Sequence, residues 1–204
     1  GSADKAGTPQ DHAVSAAEGI FTARKPRFLN PEGKLTGAAK GTALHLCMQY
    51  IDYLKCTDLE TTRELIEGLV QKRFITRRQA DCVDPGKILR FITSPLGRQL
   101  LESDKVYREF KFSLLMPGER YYPQAEGEEI LLQGVIDCFF EKEGEITIID
   151  FKTDYVNKNT LGEKLRQYTP QLTAYGEALE RIMKKPVRRK YLYMFYIDDF
   201  FEIK

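Results

Sequence analysis

The stretch "EILLQGVIDCFFEKEGEITIIDFKT", residues 129–153, restricts the fold most, because two runs rich in β-branched and aromatic residues flank a turn around Lys142 to Gly144. That pattern predicts an antiparallel hairpin with strands at 129–141 and 145–153, too apolar to lie on a surface. Ahead of it, "VYREFKFSLLM" (106–116) alternates as a strand and extends the hairpin to a meander. Asp137, Asp150 and Lys152 interrupt the apolar runs. Side chains alternate along a strand. Ile148, Asp150 and Lys152 therefore share one face, while Gln133, Val135, Asp137 and Phe139 share a face opposite Gly134, Ile136 and Cys138. Closing the hairpin at Gly144 brings Asp137 near Asp150, with Cβ atoms about 4.5–5.5 Å apart if the residues are opposite and about 7–8 Å if diagonal.

Two carboxylates that close repel unless something neutralises them, and a hard divalent cation held by oxygen ligands does so directly. Lys152, beside such an ion, is suited to orienting or deprotonating a water, or to stabilising negative charge developing on a phosphate. The plainer alternative is a surface ion pair at a strand end, worth about 0–1 kcal/mol. Gly134 leaves room on the sheet beside the acids.

The remaining pattern supplies the frame. Leu44, Met48, Ile51 and Leu54 form one apolar stripe on a helix expected over 36–55, with His45 at its edge. Helices are expected next over 61–74, 76–82, from Asp84-Pro85 onward with the aspartate as cap, and over 95–103. After the hairpin, 161–183 reads as a helix despite Pro170, 188–197 as a strand and "FFEIK" as a last short one. A helix between strands implies a crossover, and so a mixed sheet. The fold class is thus α/β: a core at 106–204 with a mixed β-sheet flanked by helices, joined to a helical annex at 37–105. Residues 1–36, rich in Ala, Gly, Pro and charge, read as a linker or peripheral arm with Ile20, Phe21, Phe28 and Leu29 as its anchors. The opening Gly-Ser reads as a cloning remnant on a piece of a longer protein.

Composition excludes several classes. With 31 basic against 30 acidic residues, bulk charge names no partner. Cys47, Cys56, Cys82 and Cys138 form no CxxC pair, which argues against a zinc ribbon or an iron–sulfur cluster and for reduced core thiols. No apolar run approaches the roughly 20 residues of a membrane span, and no secretory signal opens the chain, so a soluble, cytoplasmic location is expected. Phosphate-loop, G-x-S-x-G and HExxH motifs are missing, so any ATP-driven motor must lie outside this piece. "KKPVRRK" (184–190) is either a phosphate-backbone contact or a solvated turn.

Taken together, Glu109, "GVID" (134–137) and "IDFKT" (149–153) resemble the PD-(D/E)xK nuclease superfamily, and within it the RecB-type branch, whose form is G-x-x-D followed by D-(Y/F)-K-T. "GTALHLCMQ" (41–49) is similar to that branch's histidine-bearing helix, and "QYTPQLTAY" (167–175) to its Q-x-x-x-Y helix. The likeness is greatest to the C-terminal nuclease domain of the A subunit in AddAB-type helicase-nucleases. It implies a restriction-endonuclease-like core in which His45, Asp137, Asp150 and the carbonyl of Phe151 hold a Mg2+ ion, replaceable by Mn2+. Asp137, Asp150 and Lys152 would act in catalysis. Gln167 and Tyr168, or Gln171 and Tyr175, would be the motif pair facing substrate. Glu109 is not placed among the ligands, since "REF" at a strand start is commonly a solvated charge. The resemblance further implies DNA as substrate, single-stranded at the site, and two kinds of partner: helicase domains in the same parent chain and a second nuclease subunit. The competing reading is a DNA-holding module with a dead site, against which the intact D…DxK set argues. A structural ion-pair cluster is the third.

Overall fold

The structure, a computed structural model, describes residues 36–204. The arm expected over 1–36, with its anchors Ile20, Phe21, Phe28 and Leu29, lies outside the described residues except for Thr36. That threonine caps α1 (Gly37–Tyr50), its hydroxyl accepting from the Ala39 N–H at 3.2 Å. The first helix is shorter than expected. It stops at Tyr50, and a separate 3-10 turn at Tyr53–Lys55 follows, capped by Asp52. Its last carbonyls take side-chain donors: Arg108 reaches the Ile51 oxygen at 2.6 Å and that of Met48 at 3.3 Å, and the Tyr53 hydroxyl donates to Met48 at 2.6 Å. These bonds satisfy a helix end and fasten it to the sheet.

Helices α2 (Leu59–Gln71), α3 (Arg77–Ala80), α4 (Pro85–Thr93) and α5 (Pro95–Leu101) complete the annex. Asp84 caps α4 as expected, accepting from Gly86 N–H at 2.8 Å. The five strands β1 (Lys105–Pro117), β2 (Glu129–Lys142), β3 (Glu145–Lys152), β4 (Val187–Met194) and β5 (Asp199–Glu202) lie side by side in chain order. Only β3 and β4 are parallel, connected by the crossover helix α6 (Leu161–Met183), so the sheet is mixed. Glu143 and Gly144, both left-handed, make the tight β2–β3 turn.

Each face of the sheet has its own core. On one, Phe91 of α4 meets Phe151, Tyr193 and Phe195, with edge-to-face packing at ring separations of 5.0 Å to Phe151 and 4.8 Å to Tyr193. On the other, Ala174, Tyr175, Ala178 and Leu179 of α6 cover Ile136, Phe139, Ile146 and Ile148. This corrects the expected alternation along β2. Leu132 and Ile136 pack under α6, yet so does Phe139, while Cys138 and Phe140 join the annex core. The strand reverses its faces at Asp137, and β1 does so alongside it: Phe110 and Phe112 lie on the α6 side, whereas Arg108 reaches α1. Glu109, between them, is left-handed (φ 51°). Because both strands reverse together, the register is the same on either side, Arg108 opposite Cys138 and Phe110 opposite Ile136. Among the described residues, no helix is long and apolar enough to cross a membrane.

Candidate active site

Strands β2 and β3 part beyond the pair Cys138–Ile149, one residue short of bringing Asp137 opposite Asp150 in the ladder. The fork frees a backbone donor: the Phe151 N–H donates to Asp137 Oδ2 at 2.9 Å. A buried amide needs an acceptor, so the acid takes the place of the missing ladder bond. Its other oxygen, Oδ1, lies 3.4 Å from His45 Nδ1 on α1. Helix α1 comes this close because Gly41, one turn before His45, has no Cβ; one built there would stand 2.5 Å from Thr153 Oγ1.

The reversal at Glu109 adds a third donor. One ligand atom each from His45, Glu109 and Asp137 lie within 4.8 Å of one another. Asp150 is engaged elsewhere, at 2% exposure and with Oδ2 2.5 Å from Lys152 Nζ in a buried ion pair. The same ammonium donates to Gln171 Oε1 at 3.1 Å and stands 4.3 Å from the Tyr168 ring centre. Gln171 in turn donates to the Tyr175 hydroxyl at 2.8 Å, and Tyr175 packs against Phe112 and Gly134. Of the two alternative pairs, Gln171 reaches Lys152 directly and Tyr175 backs it. Tyr168 reaches it by its ring, with its hydroxyl bound to Asp154 at 2.7 Å, whereas Gln167 is exposed. The Phe151 side chain lies in the annex core.

Burial pushes the Asp150 carboxyl up to about 6, against the pull of Lys152 and with the push of Asp137. Burial acts the same way on Asp137, but the His45 hydrogen bond and charge, then Lys152 and the Phe151 N–H, hold it below the usual carboxylate range. His45 is its counterpart: burial lowers it, and the hydrogen bond and charge of Asp137 together with the charge of Asp150 outweigh that and raise it.

These groups suit a divalent cation. The His45–Glu109–Asp137 donors lie close enough together to share one ion, and the buried carboxylate of Asp150, paired with Lys152, lies beyond. The sequence passed over Glu109 because a charge in "YREFK" looks solvated. The signal available was its position opposite Asp137 in the β1–β2 register.

The sequence profile of the PD-(D/E)XK nuclease superfamily matches residues 9–199. The chain belongs to this superfamily. PD-(D/E)XK nucleases use divalent metals, in agreement with the donor set above. The proline of the superfamily's name has no counterpart here, where buried Ile136 precedes Asp137. This PD-(D/E)XK domain is 38% identical over 88% of its length to an ATP-dependent helicase/nuclease subunit of Clostridium botulinum (strain Loch Maree / Type A3). It is 39% identical over 89% to the same-named protein of Clostridium novyi (strain NT), and 36% over 91% to that of Clostridium acetobutylicum. It spans only 14%, 15% and 16% of those relatives, respectively, so it corresponds to one part of a much longer chain in each.

Proposed function

We propose that this domain is a divalent-metal-dependent deoxyribonuclease, an exonuclease of the RecB type, working as the nuclease part of an ATP-dependent helicase-nuclease in double-strand-break processing and recombinational repair. Mg2+ is the proposed ion and Mn2+ its substitute. The observation that carries this reading is the meeting, where β2 and β3 fork, of Asp137, His45 and Glu109 with the buried Asp150–Lys152 pair.

Asp137, Asp150, His45 and Glu109 are the side chains that would hold the ion, with the Phe151 carbonyl as a further ligand. When bound, the ion polarises a phosphate oxygen and lowers the pKa of a bound water. Lys152, held between Asp150, Gln171 and the Tyr168 ring, orients the attacking water or stabilises charge on the phosphate as the phosphorus–oxygen bond breaks. Gln171, backed by Tyr175, fixes the reach of that lysine. The proposed substrate is a single strand of DNA, delivered by helicase domains of the same parent chain, which works with a second nuclease subunit. The test is cleavage of end-labelled single-stranded DNA with Mg2+. Shortening of the strand that stops with EDTA and with Asp150→Ala is expected; cutting that survives either removes this reading.

A further inference from the structure

Two exposed tyrosines stand where the parallel strands end beside the site. Tyr155, 64% exposed, comes three residues after Lys152, and Tyr196, 48% exposed, comes two after Met194, the β4 partner of Lys152. The two chain ends are joined there, the Phe195 N–H donating to the Lys152 carbonyl at 2.8 Å. The rings lie 4.6 Å apart, inclined at 62°. Burying both between themselves would be the ordinary fate of such large rings, yet each keeps about half or more of its surface in solvent.

Their backbones are fixed. Next to Tyr155, Asp154 accepts from the Tyr168 hydroxyl and Val156 is buried at 1% exposure. Next to Tyr196, Phe195 is buried, its carbonyl accepts from Lys87, and Arg90 holds Asp198 at 2.8 Å. Lys87 also places its ammonium 5.9 Å from the Tyr196 ring centre. The acids nearby, Asp154 and Asp198, are both paired with cations, Lys164 and Arg90. A rigid, exposed aromatic pair beside a cation and continuous with a phosphodiester-cutting site matches the needs of an unpaired nucleobase, which stacks on a ring while its phosphate meets the ammonium. Prior ordering of the rings lowers the cost of binding.

We propose that Tyr155 and Tyr196 form a base-stacking platform, flanked by Lys87, that grips the single strand next to the scissile phosphate. It deepens the nuclease reading and rests on it, so the test measures binding apart from cutting. Fluorescence anisotropy of a labelled thymidine oligonucleotide, in EDTA, is compared with that of the same strand carrying an abasic tract. The wild-type chain is expected to bind the intact strand more tightly. Tyr155→Ala and Tyr196→Ala should each weaken that binding about five- to tenfold or more, and the double variant should no longer distinguish the two strands. Tyr155→Phe and Tyr196→Phe should retain wild-type affinity, because the ring does the stacking; circular dichroism confirms that all variants are folded. Unchanged binding in the double variant overturns the proposal, as does equal weakening for intact and abasic strands. Unchanged strand binding with a lower melting temperature of the full helicase-nuclease chain would mark the pair as a contact between domains and overturn it too. Failure of cleavage alone bears on the nuclease reading and leaves this measurement intact.

Discussion

Asp150 sits under two opposed demands. Without an ion its carboxylate is a buried charge with Lys152 as its close partner and Asp137 nearby; in the proposed function the same carboxylate would become a ligand. Asp150→Asn should therefore abolish cleavage and raise the melting temperature in EDTA, whereas Lys152→Ala should abolish cleavage and lower it, since the acid is then left buried without its cation. Adding Mn2+ should raise the wild-type melting temperature more than that of Asp150→Asn, because only a binder of the ion gains stability from it. Thermal melts of the three proteins with EDTA and with Mn2+ check both points. His45→Ala and Glu109→Ala should each weaken Mn2+ binding in calorimetric titration by on the order of tenfold, the histidine variant losing more for Mn2+ than for Mg2+ because imidazole is the softer ligand. Unchanged affinity in the glutamate variant would return Glu109 to a purely structural part. Asp137, Asp150 and Lys152 were legible in the sequence because each interrupts an apolar strand. Glu109 was not, because its neighbours Arg108 and Lys111 disguise it as part of a charged surface, and its left-handed backbone leaves no mark in residue type.

At the scale of elements, the expected hairpin, the crossover helix over 161–183 and the mixed sheet all appear in the structure. They were legible because a helix placed between strands leaves few ways to pair them. The face reversal at Asp137 was hidden, since a period of two carries no sign of a local half-turn, and yet it sets the site: it puts Cys138 with the annex core and leaves Asp137 pointing to His45. Gly134 shows how closely α6 depends on β2. A Cβ there would come 2.8 Å from the Phe112 ring and 2.9 Å from that of Tyr175. Gly134→Ala should then cost about 1–3 kcal/mol of stability through overpacking. It should also lower kcat, because the displaced tyrosine carries Gln171 with it and Gln171 holds Lys152. Urea unfolding and steady-state cleavage measure the two effects; a stability loss with wild-type kcat would show that the Tyr175–Gln171 chain does not govern the lysine.

Across the whole molecule, the end of the sheet away from the fork is tied together by Glu141, 7% exposed, which accepts from Tyr107 of β1 at 3.0 Å and pairs with Lys185 in the α6–β4 connection. Lys185 holds the Glu141 carboxyl below its ordinary 4.5, outweighing burial. A carboxyl depressed by folding stabilises the native state above its unfolded value and ceases to do so as pH falls through the folded one. Stability should therefore drop below pH 4.5, and Glu141→Gln should flatten that acid limb in urea melts. The same pair bears on DNA. Of the two readings of the basic run 184–190, a phosphate contact or a solvated turn, the ion pairs favour the second: Lys185 is spent on Glu141, Arg188 on Glu145 at 2.7 Å, and Arg189 leans on Tyr191 at 3.2 Å. By register this run lies toward the start of β3, while Lys87 stands beside Tyr196 at the fork. Each phosphate contact on a single strand adds roughly −0.7 to the slope of log affinity against log salt. Cleavage of a single strand by this chain should need no ATP and should weaken with salt. Replacing Arg188 and Arg189 together by alanine should leave that slope unchanged, whereas Lys87→Ala should make it shallower by about one contact. KM measured over a salt series for the three proteins decides: a loss of about two contacts in the arginine variant would put the strand on the far end of the sheet instead of across the fork.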